Sequence, residues 1–467
     1  MPTQSSLLIA AAALFLSQAK PNFTALHVLA DLLSGHSRAG RFLGNALGLY
    51  LLARLAQYAI RAVRYLRLEF TFQEDVKNRI GSLVAQAAEH LPVVGQRIRD
   101  ELTKVEAKMR HELKGSLDAN DRNVTMPAEG LAHDQVLAKM KALADKESAR
   151  WQGGLVSGSV YHGGAELLDL QSHAMRLSMV CNPLHADLWP SVTKYEAEVV
   201  SMTASLVNGG DAGVCGTMTS GGTESIFMAA KTHREWARKT KGITEPEIVA
   251  PETAHAAIDK ACELLSIKLV RVAVDEVSRK VDVAALRQRL TGNTIMIYSS
   301  APSFPHGIVD PIDQLSAIAL QHGCGLHVDC CLGGYVDATR RILDAAQEIK
   351  QGVAAIDGLF IFGDPKAMVV GFGARGFDIY RLGQAMTDKG WSLNMLQHPA
   401  SAHVCVTLPV ASNAKRFLAD LAAAADEVRG QKADAQGSAP VYGLAAALPS
   451  GPLVKILTMY TDIVLEA

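Results

Sequence analysis

From about residue 133 the chain alternates between two hydrophobic periods. Short apolar runs rich in β-branched residues, Ile248–Ala250, Lys268–Val272, Thr294–Tyr298 and Gly325–Asp329, predict strands. Between them, residues 224–239, 254–266, 282–290 and 311–322 carry apolar positions at three- and four-residue spacing and predict helices. Strand and helix in strict alternation imply a mostly parallel sheet covered on both faces. After about residue 336 a helix leads into Leu359–Gly363, Met368–Phe372 and later His403–Thr407, which predicts a smaller α+β domain. Residues 70–113 are charged and helical in pattern, with a break expected at Leu91–Gly95, and the polar stretch 114–130 predicts a linker. The Ala-rich pieces near 421–425 and 445–447 predict ordinary helix, and no internal repeat is present.

The first seventy residues have a different pattern. Residues 7–16 are apolar but too short to span a bilayer. Ser17-Gln18-Ala19 would suit signal cleavage, yet no Lys or Arg precedes the run. Phe42–Ile60 is long enough to cross a membrane and holds one charge, Arg54. A central arginine costs about 2.5–3.5 kcal/mol on insertion scales, which long apolar flanks offset. The competing reading is an interfacial helix, because Arg54, Arg61, Arg64 and Arg67 recur near helical spacing. Spanning is the preferred reading. The basic residues Arg61, Arg64, Arg67, Lys77 and Arg79 then place the bulk of the chain in the cytosol. Asn22-Phe23-Thr24 would be a lumenal glycosylation site.

With 467 residues and a hydrophobic fraction of 49%, the chain can build a large core in two or three domains, or in one large α/β unit with appendages. A net charge of −1 and an aromatic content of 6% argue against a nucleic-acid partner. The seven cysteines are odd in number and include no CxxC pair, so reduced thiols are expected. Cys330-Cys331 reads as a pair of small core residues, and no metal site is expected.

Three separated elements suggest chemistry. Thr219-Ser220-Gly221-Gly222-Thr223-Glu224-Ser225 follows an expected strand and opens a helix expected from Glu224. Its glycines let backbone approach an anion, the helix end offers unpaired N–H groups, and Ser220, Thr223 and Ser225 add hydroxyls. The spacing is neither GxGxxG nor a Walker loop, which disfavours a nucleotide. His255 lies between a strand and a helix, where a lone histidine is most often a cap or a satisfied core residue. Asp329 ends an apolar strand, where a turn or N-cap role is commonest. All three fall at strand carboxyl ends, where open parallel sheets bind ligands. Phosphate cradle, flat imidazole and carboxylate together describe a site for pyridoxal 5'-phosphate, whose ring nitrogen needs a carboxylate partner to act as an electron sink.

These residues resemble the sphingosine-1-phosphate lyase family, within the larger group of pyridoxal-phosphate-dependent decarboxylase-like proteins. Besides residues 219–225 the resemblance rests on Ser159–Gly163, Asn182-Pro183-Leu184-His185, Glu247–Pro251, Ser303-Phe304-Pro305-His306-Gly307, His327–Gly334, Phe377–Leu382 and Lys389–Asn394. It runs from about residue 68 to the C-terminus. It implies a fold-type-I transferase-like large domain with a mostly parallel sheet, a smaller α+β C-terminal domain and an N-terminal membrane helix at 42–60. The domain boundaries expected are 1–67, 68–184, 185–335 and 336–467. By position, Gly222 and Thr223 would hold the cofactor phosphate, His255 would stack on the ring and Asp329 would pair with its nitrogen. Tyr161 and His185 match residues that reach the substrate, in this family from the neighbouring subunit. The implied reaction is cleavage of a sphingoid-base 1-phosphate to a long-chain aldehyde and phosphoethanolamine. The implied setting is a homodimer in the endoplasmic reticulum membrane, with the catalytic domain facing the cytosol.

The chain departs from the family at one place. In the family the segment matching His327–Gly334 is followed by a block with two more sheet strands and a Thr-His-Lys motif, whose lysine forms the Schiff base. Here Gly334 runs directly into Tyr335-Val336-Asp337-Ala338-Thr339-Arg340, which matches the far side of that block, and no later lysine follows a Ser/Thr-His pair. The expectation is a chain with impaired or absent turnover and a newly exposed sheet edge. The competing functions are a pyridoxal-phosphate-dependent amino-acid decarboxylase and a non-catalytic scaffold that dimerises with intact lyase subunits.

Overall fold

The computed structural model describes residues 92–115, 117, 123–209, 213–333, 340–429 and 450–465. The apolar run at 42–60, the pieces near residues 22 and 68–73, and the Gly334–Tyr335 junction lie outside the described residues. Among the described residues no helix is long and apolar enough to cross a membrane. The chain divides into two compact units, residues 1–98 with 449–454 and residues 99–448 with 455–467. Of the first, the described residues are the opening turns of two helices, α1 (Pro92–Lys114) and α13 (Ser450–Leu465). The second unit holds both sheets and every candidate site residue.

The break expected at Leu91–Gly95 is overturned. Pro92 is the first residue of α1, a position where the missing proline N–H costs no hydrogen bond. After the polar stretch come α2 (His133–Gln152), α3 (Ala165–Ser178) and α4 (Pro190–Leu206). Neither α2 nor α3 buries a single residue, and α4 buries only Ala204. Leu137, Met140, Leu170, Met175, Leu177, Leu184 and Met202 are all exposed.

The alternating region forms as its pattern predicts. It runs α5 (Gly222–Lys241), β1 (Glu247–Pro251), α6 (Ala257–Leu264), β2 (Lys268–Val272), α7 (Val283–Arg289), β3 (Thr294–Ser300), α8 (Ile312–His322) and β4 (Gly325–Asp329). The four strands are parallel, in the order β2-β1-β3-β4. One face is packed by Ile226, Ala230, Ile258 and Ala261, the other by Leu286, Leu315 and Ile318. Every residue of β1 and β3 is buried, whereas every residue of β4 is only half-buried. Among the described strands β4 is therefore an open edge of this sheet. Two local expectations fail here. Residues 214–219 form no strand, and α5 opens at Gly222 rather than Glu224. Cys330 and Cys331 are exposed rather than core residues, because they leave the end of that edge strand.

Beyond α9 (Arg340–Ala355) lie β5 (Leu359–Ile361), β6 (Val369–Ala374), α10 (Ile379–Asp388), β7 (Asn394–Leu396), β8 (Ser401–Cys405), α11 (Leu408–Ala411) and α12 (Ala414–Arg429). The strands form an antiparallel sheet in the order β5-β6-β8-β7. Phe372, Trp391, Phe417, Leu421 and Ile349 fill its core, and the Trp391 indole N–H donates to Asp420 at 2.9 Å.

The loop Ser303–Gly307 locks this sheet against the end of β3. Gly307 has φ +72°, and a Cβ there would lie 2.0 Å from the Val369 carbonyl oxygen. A Cβ on Gly371 would lie 2.9 Å from the His306 Cα. His306 packs on the Phe362 ring with centroids 4.9 Å apart, and His403 Nδ1 donates to the Pro305 carbonyl at 3.3 Å. Burial pushes both imidazoles down to about 4, so both are neutral in the folded protein near pH 7. The unfolded chain takes up protons at these positions near pH 6.5, while the folded chain resists them until about pH 4. Stability is then full above pH 6.5 and falls between pH 6.5 and 4, by on the order of 3 kcal/mol per histidine. A pH series of urea midpoints is expected to show this fall, and His403→Gln to flatten it. A wild-type profile level from pH 7 to 4.5 would contradict the reading.

Candidate functional site

Parallel pairing puts the carboxyl ends of β1, β3 and β4 along one edge of the sheet. A helix feeding a parallel strand runs antiparallel to it, so the N-terminus of α5 comes to that same edge. A Cβ on Gly222 would stand 3.4 Å from Cys331 Sγ, two residues beyond Asp329. The structure therefore brings Gly222, Thr223 and the end of β4 together.

The N-terminus of α5 carries no side-chain cap, and Gly221 and Gly222 leave its N–H groups uncovered. The hydroxyls are not all available, as the sequence had suggested. Ser225 Oγ is 2.7 Å from Thr219 Oγ1. The Ser220 N–H donates to Glu224 Oε2 at 2.6 Å, and hydrogen bonds from Ser220 hold the Glu224 carboxyl below its usual value. What remains for an anion is the helix end with the Thr223 hydroxyl, a donor set that suits a phosphate. Gly222→Val would add carbons against Cys331 at this end. We expect it to weaken pyridoxal phosphate and inorganic phosphate alike by about tenfold in calorimetric titration, the loss of one charge-assisted hydrogen bond. Unchanged phosphate affinity would exclude this end of α5 as the cradle.

Asp329 takes the turn role weighed for it and adds a bond to a second strand. Its Oδ1 accepts from the Cys331 N–H at 3.0 Å, as a turn residue does, and its Oδ2 accepts from the Tyr298 hydroxyl at 2.6 Å. The carboxylate is thereby fixed in orientation and keeps lone pairs for a ring N–H. His255 is exposed on the loop after β1, and its Nδ1 accepts the Ala257 N–H at 3.1 Å. That bond leaves the proton on Nε2 in the neutral ring. The Phe304 ring meets His255 edge-on, with centroids 5.5 Å apart. Tyr161 lies within electrostatic reach of Cys331 and Cys405, and burial, then these thiols, raise its phenol above the usual value. Its carbonyl accepts the Leu408 N–H at 3.2 Å, which ties it to the start of α11. His185 lies on an exposed turn, edge-on to Trp189 at 6.3 Å, and its backbone bonds run to Asn182, Leu188 and Trp189.

Two residues escaped the sequence reading, Tyr298 and Phe304. Tyr298 had a signal: a tyrosine inside an otherwise aliphatic buried strand needs a partner for its hydroxyl. Phe304 had none, because its loop becomes informative only when folded against His255.

Phosphate, ring nitrogen and ring face of pyridoxal phosphate each find a suitable group here. A lysine for covalent attachment does not. Lys366 pairs with Asp364 at 2.5 Å, Lys350 bonds the same carboxylate, and Lys389 pairs with Glu427 at 3.6 Å, all in the smaller domain. Among the described residues no cluster of His, Cys, Asp or Glu could hold a metal ion.

Comparison with known proteins gives a consistent picture. The family description "Pyridoxal-dependent decarboxylase conserved domain" matches residues 121–377, more than half of the chain. The sphingosine-1-phosphate lyase of Dictyostelium discoideum is 30% identical over 505 residues, covering 87% of this chain and 94% of its own length. Sphingosine-1-phosphate lyase 1 of Rattus norvegicus is 33% identical over 494 residues, covering 84% and 86%. In the first comparison, 87% of 467 residues is about 406, so about 99 of the 505 aligned positions have no counterpart here. In the second, 84% is about 392, which leaves about 102 of 494. Both relatives thus carry on the order of a hundred aligned positions without a counterpart in this chain. The structure of a Burkholderia pseudomallei sphingosine-1-phosphate lyase superposes with a TM-score of 0.66 at 26% identity, covering 74% of this chain and 98% of that one. A Lactobacillus brevis glutamate decarboxylase, at 14% identity and a TM-score of 0.57, shares the fold. The parallel sheet with its flanking helices is the pyridoxal-dependent decarboxylase-like fold, and by sequence and structure this chain belongs to the sphingosine-1-phosphate lyase family.

Proposed function

We propose that this chain binds pyridoxal 5'-phosphate at the carboxyl edge of its parallel sheet and takes sphingoid-base 1-phosphates as substrate, the reaction being cleavage to a long-chain aldehyde and phosphoethanolamine. The observation that carries this is the meeting of Gly222, Thr223, His255 and Asp329 at one sheet edge, in a chain whose relatives bear the lyase name. When bound, the cofactor supplies an electron sink for the pair released as the carbon–carbon bond breaks. The helix end and Thr223 hold its phosphate. Asp329 keeps a proton on the ring nitrogen, held in aim by Tyr298 and the Cys331 N–H. His255 presents a ring face, backed by Phe304. Tyr161, raised by burial, stays protonated near pH 7 and serves as a hydrogen-bond donor to a substrate oxygen rather than as a base.

Removal of the C3-hydroxyl proton, and covalent capture of the substrate amine, depend on groups in the block absent after Gly334. The exposed apolar faces of α2, α3 and α4 support a homodimer in which a second copy covers them and brings His185 to the substrate. The apolar run Phe42–Ile60 supports an anchor in the endoplasmic reticulum membrane with the sheets on the cytosolic side. The direct test is aldehyde release from a sphingoid-base 1-phosphate by the chain with the block restored from a relative. Carbon dioxide release from free amino acids, with no aldehyde, would replace this reading by the decarboxylase one.

A further inference from the structure

Sheet order places β3 between β1, which leads to His255, and β4, which ends in Asp329. Tyr298 sits on β3 directly opposite His327 of β4, two residues before β3 ends. Its ring is fully buried among Ile226, Ala230, Ile258 and Met296. Only the hydroxyl reaches the carboxyl edge. There it donates to Asp329 Oδ2 at 2.6 Å, while its ring packs in the buried cluster that also holds Ala254 and Ala257, on either side of His255. One buried phenol therefore bears on both loops that would grip the cofactor ring.

We infer that Tyr298 is a positioning residue: its hydroxyl fixes the Asp329 carboxylate toward the cofactor's ring nitrogen, and its ring ties that carboxylate to the His255 loop. The inference rests on the pyridoxal phosphate reading above. A half-buried carboxylate at the end of an edge strand has few neighbours to hold it, and β4 is half-exposed along its whole length. Its Oδ1 is committed to the turn with Cys331, so rotation of the carboxylate is governed by what binds Oδ2. A tyrosine whose ring is locked in the core is a rigid donor for that purpose. Burial, then the Asp329 charge, raises the phenol further above its usual value, so it remains a donor at every physiological pH.

The experiment uses the full chain and two probes, pyridoxal 5'-phosphate and its analogue with CH in place of the ring nitrogen. Binding is followed by quenching of intrinsic fluorescence. Tyr298→Phe removes one oxygen and leaves the ring packing in place. It is expected to weaken pyridoxal phosphate about tenfold, the usual scale for a hydrogen bond to a charged group, and to leave the analogue within about twofold of wild type. Asp329→Asn, the control, should abolish the preference for pyridoxal phosphate over the analogue. Equal weakening of both probes would make Tyr298 a core residue only, and no weakening of either would remove it from the site. Failure of the wild-type chain to bind pyridoxal phosphate is a separate outcome. It would overturn the cofactor reading, and this inference with it.

Discussion

Incubated with a sphingoid-base 1-phosphate and pyridoxal phosphate, the chain of 467 residues is expected to release long-chain aldehyde at a rate on the order of 10³-fold or more below that of the same chain with its missing block restored. The reason is chemical. The described site supplies phosphate, ring-nitrogen and ring-face contacts, while Lys350, Lys366 and Lys389 are paired with carboxylates in the smaller domain. Without a covalent attachment point the cofactor's affinity rests on non-covalent contacts alone, and no amine is placed to exchange with the substrate's amine. The reason is also architectural. Restoring about a hundred residues after Gly334 would cover β4, whose half-buried residues now end the sheet. The check is a paired assay of the two proteins at equal concentration. Comparable rates would mean that another residue does the lysine's work. A restored chain that binds cofactor but leaves this substrate untouched would move the substrate assignment elsewhere.

Gly307→Ala is expected to destabilise the protein by about 3–5 kcal/mol. Two costs combine. The residue holds φ +72°, which L-residues adopt only at a cost, and the added carbon would lie 2.0 Å from the Val369 carbonyl oxygen, where backbone cannot yield cheaply. The same step displaces Ser303–Gly307 from β6, and with it the Phe304 ring that backs His255. Urea unfolding should show the lowered midpoint. Gly376→Ala is the informative partner, since Gly376 also has positive φ, +87°, but nothing within 4 Å of an added carbon. It should cost only the backbone share, about 1–2 kcal/mol. Equal losses in the two variants would show that the clash with Val369 is relieved at no cost.

The fold was largely legible because its hydrophobic periods are unambiguous. Ile248–Ala250, Thr294–Tyr298 and Gly325–Asp329 became parallel strands where the pattern put them. Where the reading failed, local chemistry had two outcomes. Pro92 could break a helix or begin one, and only the run of helix after it decides. Residues 214–219 look like a strand before the glycine turn, but no neighbouring strand pairs with them. Cys330 and Cys331 look like core residues and are exposed, because they follow β4, an edge strand whose own residues are only half-buried.

Sequence alone determined the alternation of strand and helix, the helix-opening glycines at 221–222, the carboxylate ending β4 and the lack of a Ser/Thr-His-Lys motif after it, because each is a property of residue type and local spacing. Only the tertiary structure decided that β3 lies between β1 and β4, that the Tyr298 hydroxyl therefore meets Asp329, that Phe304 backs His255, and that β4 is an open edge. Those are contacts between segments distant in the chain. They follow from how buried faces are shared among strands and helices, which no local pattern encodes.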